Sequence, residues 1–222
     1  MTLTSTNSDT NFTTSWRGAV RVATIAGALL FLVGEAALPV LPGTIEAAFP
    51  LMAADREQLL ASRLLSSAGC FLLVVAGIGF ATLLARRVAS RTVLVGGTLL
   101  AVGAFFNAVA QAVQGYATYA ATGSGVEAGS GREIVETITA GPAAFPLSFV
   151  SVPVFALGCL VVAVGLFVSR SVPVWLPLLL LVGTVMAGAL AGRGPIVALS
   201  QAPVTIALIA LAVTMTRPVE NR

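Results

Sequence analysis

An all-α, polytopic membrane helix bundle, with six transmembrane helices and both termini cytoplasmic, is the fold class this sequence predicts. Three observations carry the expectation. Hydrophobic residues make up 57% of the 222-residue chain and charged residues only 9%, against about 25% charged in ordinary soluble domains. Such a chain cannot cover itself with a polar exterior, so the bilayer must serve as its solvent. The charges are also segregated: six long apolar runs hold a single carboxylate or guanidinium, Glu35, although the chain carries 12 arginines and 9 acids. Finally, each run is 19 to 22 residues long, close to the ~20 that cross ~30 Å of hydrocarbon at ~1.5 Å per residue.

In chain order, residues 1–16 are rich in Ser, Thr and Asn and predict a disordered cytoplasmic tail. The first span is 22–41. A cleaved signal peptide is the rival reading of this segment, with Arg17 and Arg21 as its basic region and Gly34-Glu35-Ala36 as the cut, which would leave five spans. The connection 42–63 contains Pro42, Gly43 and Pro50, and Asp55 stands where an N-cap would start the second helix before it enters the membrane. Spans 64–84 and 92–112 follow. The long outer loop 113–146 opens with small residues. Within it Ser130-Gly131-Arg132-Glu133 fits a capping box, and Ile134, Val135 and Ile138 follow at helical spacing before Gly141-Pro142. These predict an amphipathic helix of about two turns lying on the outer surface. Spans 147–168, 172–190 and 195–215 complete the 17–217 transmembrane domain, and 218–222 form a second cytoplasmic tail. The runs lack strict alternation, which sets barrel strands aside.

Arginine sets the expected orientation. Arg17, Arg21, Arg86, Arg87, Arg91, Arg170, Arg217 and Arg222 fall at one set of helix ends, and only Arg56, Arg63, Arg132 and Arg193 at the other. The arginine-rich side should be cytoplasmic. A cation set made of arginine alone, beside abundant alanine, valine and glycine, fits the codon usage of a GC-rich bacterium, so the expected location is a bacterial cytoplasmic membrane. Small residues recur every fourth position, as in Gly183, Ala187 and Ala191 with Thr184, Gly188 and Gly192 beside them. Stripes of this kind let helix backbones approach, and they offer a face for self-association or a membrane partner. Gly192-Arg193-Gly194-Pro195 predicts a tight hairpin between the last two spans.

Catalytic chemistry finds little to work with. There is no histidine, the commonest metal ligand and general base. Cys70 and Cys159 each sit inside an apolar run and read as inert buried thiols. No acid pair, zinc motif or serine–base arrangement is present, so neither an enzyme nor a cofactor nor a metal is expected. Gly123-Ser124-Gly125 and Gly129-Ser130-Gly131 lack the strand and the lysine of a phosphate loop. Nothing points to nucleic acid.

The polar residues within the spans are biased toward their outer halves. Asn107, Gln111 and Gln114 share one face of the third helix, and Arg63 begins the second helix at a height that reaches Glu35. Glu35, Arg63, Asn107, Gln111 and Gln201 are therefore the candidate ligand-binding set, an outward-opening polar pocket. The plainer reading is that the same groups bridge helices.

The segment Ala54-Asp55-Arg56-Glu57-Gln58-Leu59-Leu60-Ala61-Ser62-Arg63 leading into span 64–84, with a glycine-rich third span ending in Gln114-Gly115-Tyr116-Ala117, resembles a broad group of six-span membrane proteins of actinobacteria. The likeness covers residues 1–120 and implies the six-span architecture. That group has no assigned activity, and its members often carry a histidine where this chain has Arg63 or a neighbour of it. Two functions are expected: first, a non-catalytic scaffold or accessory subunit, with an exposed small-residue stripe for a partner; second, a small-molecule or lipid-binding protein or carrier that uses the outer pocket.

Overall fold

A computed structural model describes residues 6–87, 90–139, 150–189 and 195–215, and every regular element in them is a helix. These are α1 (Thr6–Ala36), α2 (Ile45–Ala54), α3 (Arg56–Gly79), a π-helical turn (Phe80–Leu84), α4 (Ala85–Arg87), α5 (Arg91–Ala121), α6 (Ala128–Thr139), α7 (Ser151–Ser169), α8 (Trp175–Ala189) and α9 (Pro195–Met215). Five stretches are long and apolar enough to cross a membrane: Thr14–Ala36, Arg56–Leu84, Arg91–Ala121, Ser151–Ser169 and Val197–Thr214. They mark a multi-pass membrane protein by length and composition.

Helices adjacent along the chain pack together: α1 on α3, α3 on α5, α5 on α7, α7 on α8 and α8 on α9. The ring then closes where α9 packs on α1. All six helices feed one apolar core, with Ala28 from α1, Leu73 from α3, Leu100 from α5, Leu166 from α7, Leu180 from α8 and Leu208 from α9. Polar groups buried among them are satisfied locally. The hydroxyls of Thr24 and Thr184 donate to Val20 and Leu180 of their own helices, each at 2.7 Å.

Paired glycines set the spacing of the ring. Gly77 of α3 faces Gly97 of α5: a Cβ on Gly77 would stand 2.5 Å from Ala101 N, and one on Gly97 would stand 2.5 Å from Ala81 N. On its other side α5 presents Gly96 to Gly158 of α7, with a Cβ there only 2.6 Å from Val162 N. Backbones in such contact gain dispersion energy that lipid tails do not supply.

One end of the ring, hereafter the loop end, carries a small cap. Ala48, Phe49 and Met52 of α2, Leu59 of α3, Ala121 of α5 and Val135 of α6 form a second apolar cluster, with Leu38, Leu41 and Ile45 packed against it.

Several expected boundaries are corrected. Residues 6–16, expected as a disordered tail, continue α1, because each residue added to an existing helix gains a hydrogen bond without a new nucleation cost. The 42–63 connection holds α2 despite Pro50; a proline at the sixth position forfeits only one bond to the preceding turn. Asp55 does precede α3, yet its side chain makes no capping bond. The third span runs on to Ala121, nine residues into the expected loop, since a helix need not stop where hydrocarbon stops. The capping box does not form: α6 starts at Ala128, with Gly131 N bonded to Glu127 O at 2.9 Å. Gly131 is instead a packing site, where a Cβ would meet Phe49 Cζ at 2.7 Å. Within the fifth expected span, 172–190, α8 starts only at Trp175 and is described as far as Ala189. Arg170 in left-handed conformation (φ 48°) and then Pro173 delay its start. At the start of the small-residue stripe α8 packs closely on α9, while Ala191 and Gly192 lie outside the described residues. Gly183 and Thr184 are buried, and a Cβ on Gly183 would stand 2.6 Å from Val204 N of α9. The Gly141-Pro142 stop and the Gly192–Pro195 hairpin, up to Gly194, lie outside the described residues.

Candidate functional site

Where α1, α3 and α5 meet at the loop end, polar side chains link the three helices by hydrogen bonds. Glu35 stands in the last turn of α1, only 7% exposed. It is held there because Gly34, its neighbour, brings α1 against α3: a Cβ at that position would stand 2.6 Å from Ser66 N. Ser66 Oγ donates to Glu35 Oε1 at 3.0 Å, and Gln111 Nε2 of α5 donates to the same oxygen at 3.0 Å. Arg63 of α3 donates through Nη1 to Gln111 Oε1. One amide thus spans a guanidinium and a carboxylate. Its orientation is fixed by its partners, since the opposite flip would set NH₂ against guanidinium and carbonyl against carboxylate.

Gly115 on α5 makes room for the arginine: a Cβ there would stand 2.8 Å from Arg63 Cβ. Further bonds tie the same three helices. Gln58 Nε2 donates to Ala37 O at 2.9 Å where the chain leaves α1, and Ser67 Oγ donates to Ala108 O at 2.8 Å. Nearer the helix ends, Arg56 Nη2 donates to Tyr119 Oη at 3.1 Å and Tyr119 Oη donates to Glu57 Oε1 at 3.0 Å. The Arg56 guanidinium lies 4.4 Å over the Tyr119 ring. Among the described residues no buried side-chain nitrogen or oxygen lacks a partner, and no group of three His, Cys, Asp or Glu could hold a metal ion.

Of the five candidate residues, Glu35, Arg63 and Gln111 come together. Gln111 bridges Glu35 and Arg63 through hydrogen bonds to both. Asn107 is one turn away and donates to Cys70 Sγ at 3.4 Å, toward α3 and not toward the carboxylate. Gln201 lies half-buried on α9, and no hydrogen bond joins it to the cluster. Sequence reasoning missed Ser66 as a partner of Glu35, although its spacing of three from Arg63 on one helix face was readable. It also missed Tyr119, because the loop assignment hid the helix that carries it.

The fold and the site together define a bundle of long apolar helices in which the buried Glu35 is locked into an interhelical polar tie. Comparison with protein-family models, with curated proteins and with solved structures finds no match.

Proposed function

We propose that this chain is a non-catalytic component of a bacterial cytoplasmic membrane, a scaffold or accessory subunit, with six crossings and both termini in the cytoplasm. In this reading the Glu35–Gln111–Arg63 chain fastens α1, α3 and α5, and binding a substrate is not its role. The observation that carries the reading is the engagement of these groups with one another: Oε1 of the carboxylate takes two donors, and both ends of the amide are spent. A pair of opposite charges taken from water needs such partners to be tolerated at all.

The orientation is supported by the gathering of Arg17, Arg21, Arg86, Arg87, Arg91 and Arg170 at the end opposite the cap, with Arg56, Arg63 and Arg132 at the loop end. Six crossings require α8 together with the apolar residues before it to reach across. A thinned bilayer around a short helix accommodates that at modest cost. Retention of the first span is supported by what α1 supplies, namely Val20 and Ala28 to the core and Glu35 to the tie.

The test is native mass spectrometry of the protein extracted gently in its own lipids. Co-extraction of a second membrane protein at fixed stoichiometry is the expected result. A single chain carrying one reproducible small molecule, lost in Gln111→Ala, would overturn the scaffold in favour of the polar-pocket carrier.

A further inference from the structure

A groove of about 220 Å³ runs between α7 and α8, on the far side of the ring from the polar tie. Val164, Phe167 and Val168 of α7 and Pro177, Leu178 and Leu181 of α8 line it. All are apolar, and most are exposed away from the ring core, Val168 the most at 75%. The connection 170–174 joins the two walls, following Val168 and preceding Pro177 in the chain. That connection begins with the exposed Arg170, two positions beyond Val168, and leads to the half-exposed Trp175 that opens α8.

We propose that this groove seats an anionic phospholipid, with one acyl chain between α7 and α8 and the phosphate against Arg170. The inference rests on the membrane orientation proposed above, which puts this end in the anionic cytoplasmic leaflet. Apolar walls open to hydrocarbon select a hydrocarbon occupant. A partner helix would need small residues for backbone approach, whereas Ala163 at the floor of the groove is buried and the exposed walls are valine, phenylalanine and leucine. The mouth selects the headgroup. The end of α7 lies beside the start of α5, where a Cβ on Gly165 would stand 3.1 Å from Val93 N, so Arg170 shares its level with Arg91. Trp175 is the residue type that settles at the headgroup boundary.

Arg170 also stands at a backbone conformation that glycine ordinarily fills at a helix end. A guanidinium is kept there at a conformational cost glycine would not incur. Beside it Ser169 Oγ and Ser171 Oγ share a 2.9 Å hydrogen bond that orders the turn.

The full chain reconstituted in nanodiscs of equal phosphatidylglycerol and phosphatidylethanolamine, then ejected in a native mass spectrometer, tests the assignment. Wild type should retain phosphatidylglycerol preferentially. Arg170→Gly suits the left-handed backbone and so preserves the turn; it should lower that retention about fivefold, the weight of one arginine at an anionic surface, while Arg170→Lys restores it. Val164→Trp fills the groove and should lower retention of both lipids. Equal retention of the two lipids by wild type, or no change in Arg170→Gly, would overturn the proposal. So would a second protein chain whose loss follows Val164→Trp alone. Carbonate extraction of the same cells separates the two failures: chain in the membrane fraction without lipid preference removes the lipid site only, and chain in the soluble fraction removes the membrane reading with it.

Discussion

Gln111 is the residue on which the polar tie turns, because it hydrogen-bonds both charges. Gln111→Leu should lower stability by about 1–3 kcal/mol, the range for stranding a buried polar partner, measured by thermal unfolding in detergent. Adding Glu35→Gln in the same chain should recover part of the loss, and strictly additive effects would show that the two residues do not act as a unit. Asn107→Ala removes only a bond to sulfur and should cost about 0.6 kcal/mol, the average for hydrogen bonds within membrane bundles. Cys70 and Cys159 are both buried. Neither should react with a maleimide in the native protein, and both should react once it is unfolded; labelling of Cys70 in the native state would mean that the tie above it opens.

Between helices, glycine does the work that polar bonds do at the loop end. Gly77→Ala drives a methyl against the Ala101 nitrogen and the Gly97 oxygen, atoms that cannot rotate away, and should destabilise by roughly 1–3 kcal/mol. Gly18→Ala is the matched control. Nothing lies within 4 Å of its Cβ position, so the change should be neutral or stabilising, by up to ~1 kcal/mol. The long apolar helices were legible because hydropathy registers burial in lipid directly, which is why the candidate span Val197–Thr214 falls inside the apolar run 195–215. What extends beyond the hydrocarbon was not legible in the same way. Ala117, Ala120 and Ala121 favour helix whether wet or dry, and Gly115 before them is a seat for Arg63. The tie was half legible: period and depth put Gln111 beside Glu35, but they could not say whether Asn107 would turn toward the carboxylate or toward Cys70. Gln201 shared the right depth and the wrong neighbour. Depth along a helix is written in one chain segment, whereas rotation about it is decided by packing.

The ring sets Arg17, Arg21, Arg86, Arg91 and Arg170 toward one end and its cap at the other, so sidedness is testable at single positions. A cysteine at Ser124, exposed between α5 and α6, should react with an impermeant maleimide added to intact cells. A cysteine at Ser171, exposed between α7 and α8, should react only after permeabilisation. The reverse pattern would invert the proposed topology. Because the helices are neighbours in chain order, each can dock on its predecessor as it is made, with short-range contacts only. The exception is α1, one flank of which is covered by α9. During synthesis that flank faces lipid until the last helix arrives, so any insertase or chaperone that shields nascent spans would be expected to hold α1 longest, and its release would report that the bundle is complete.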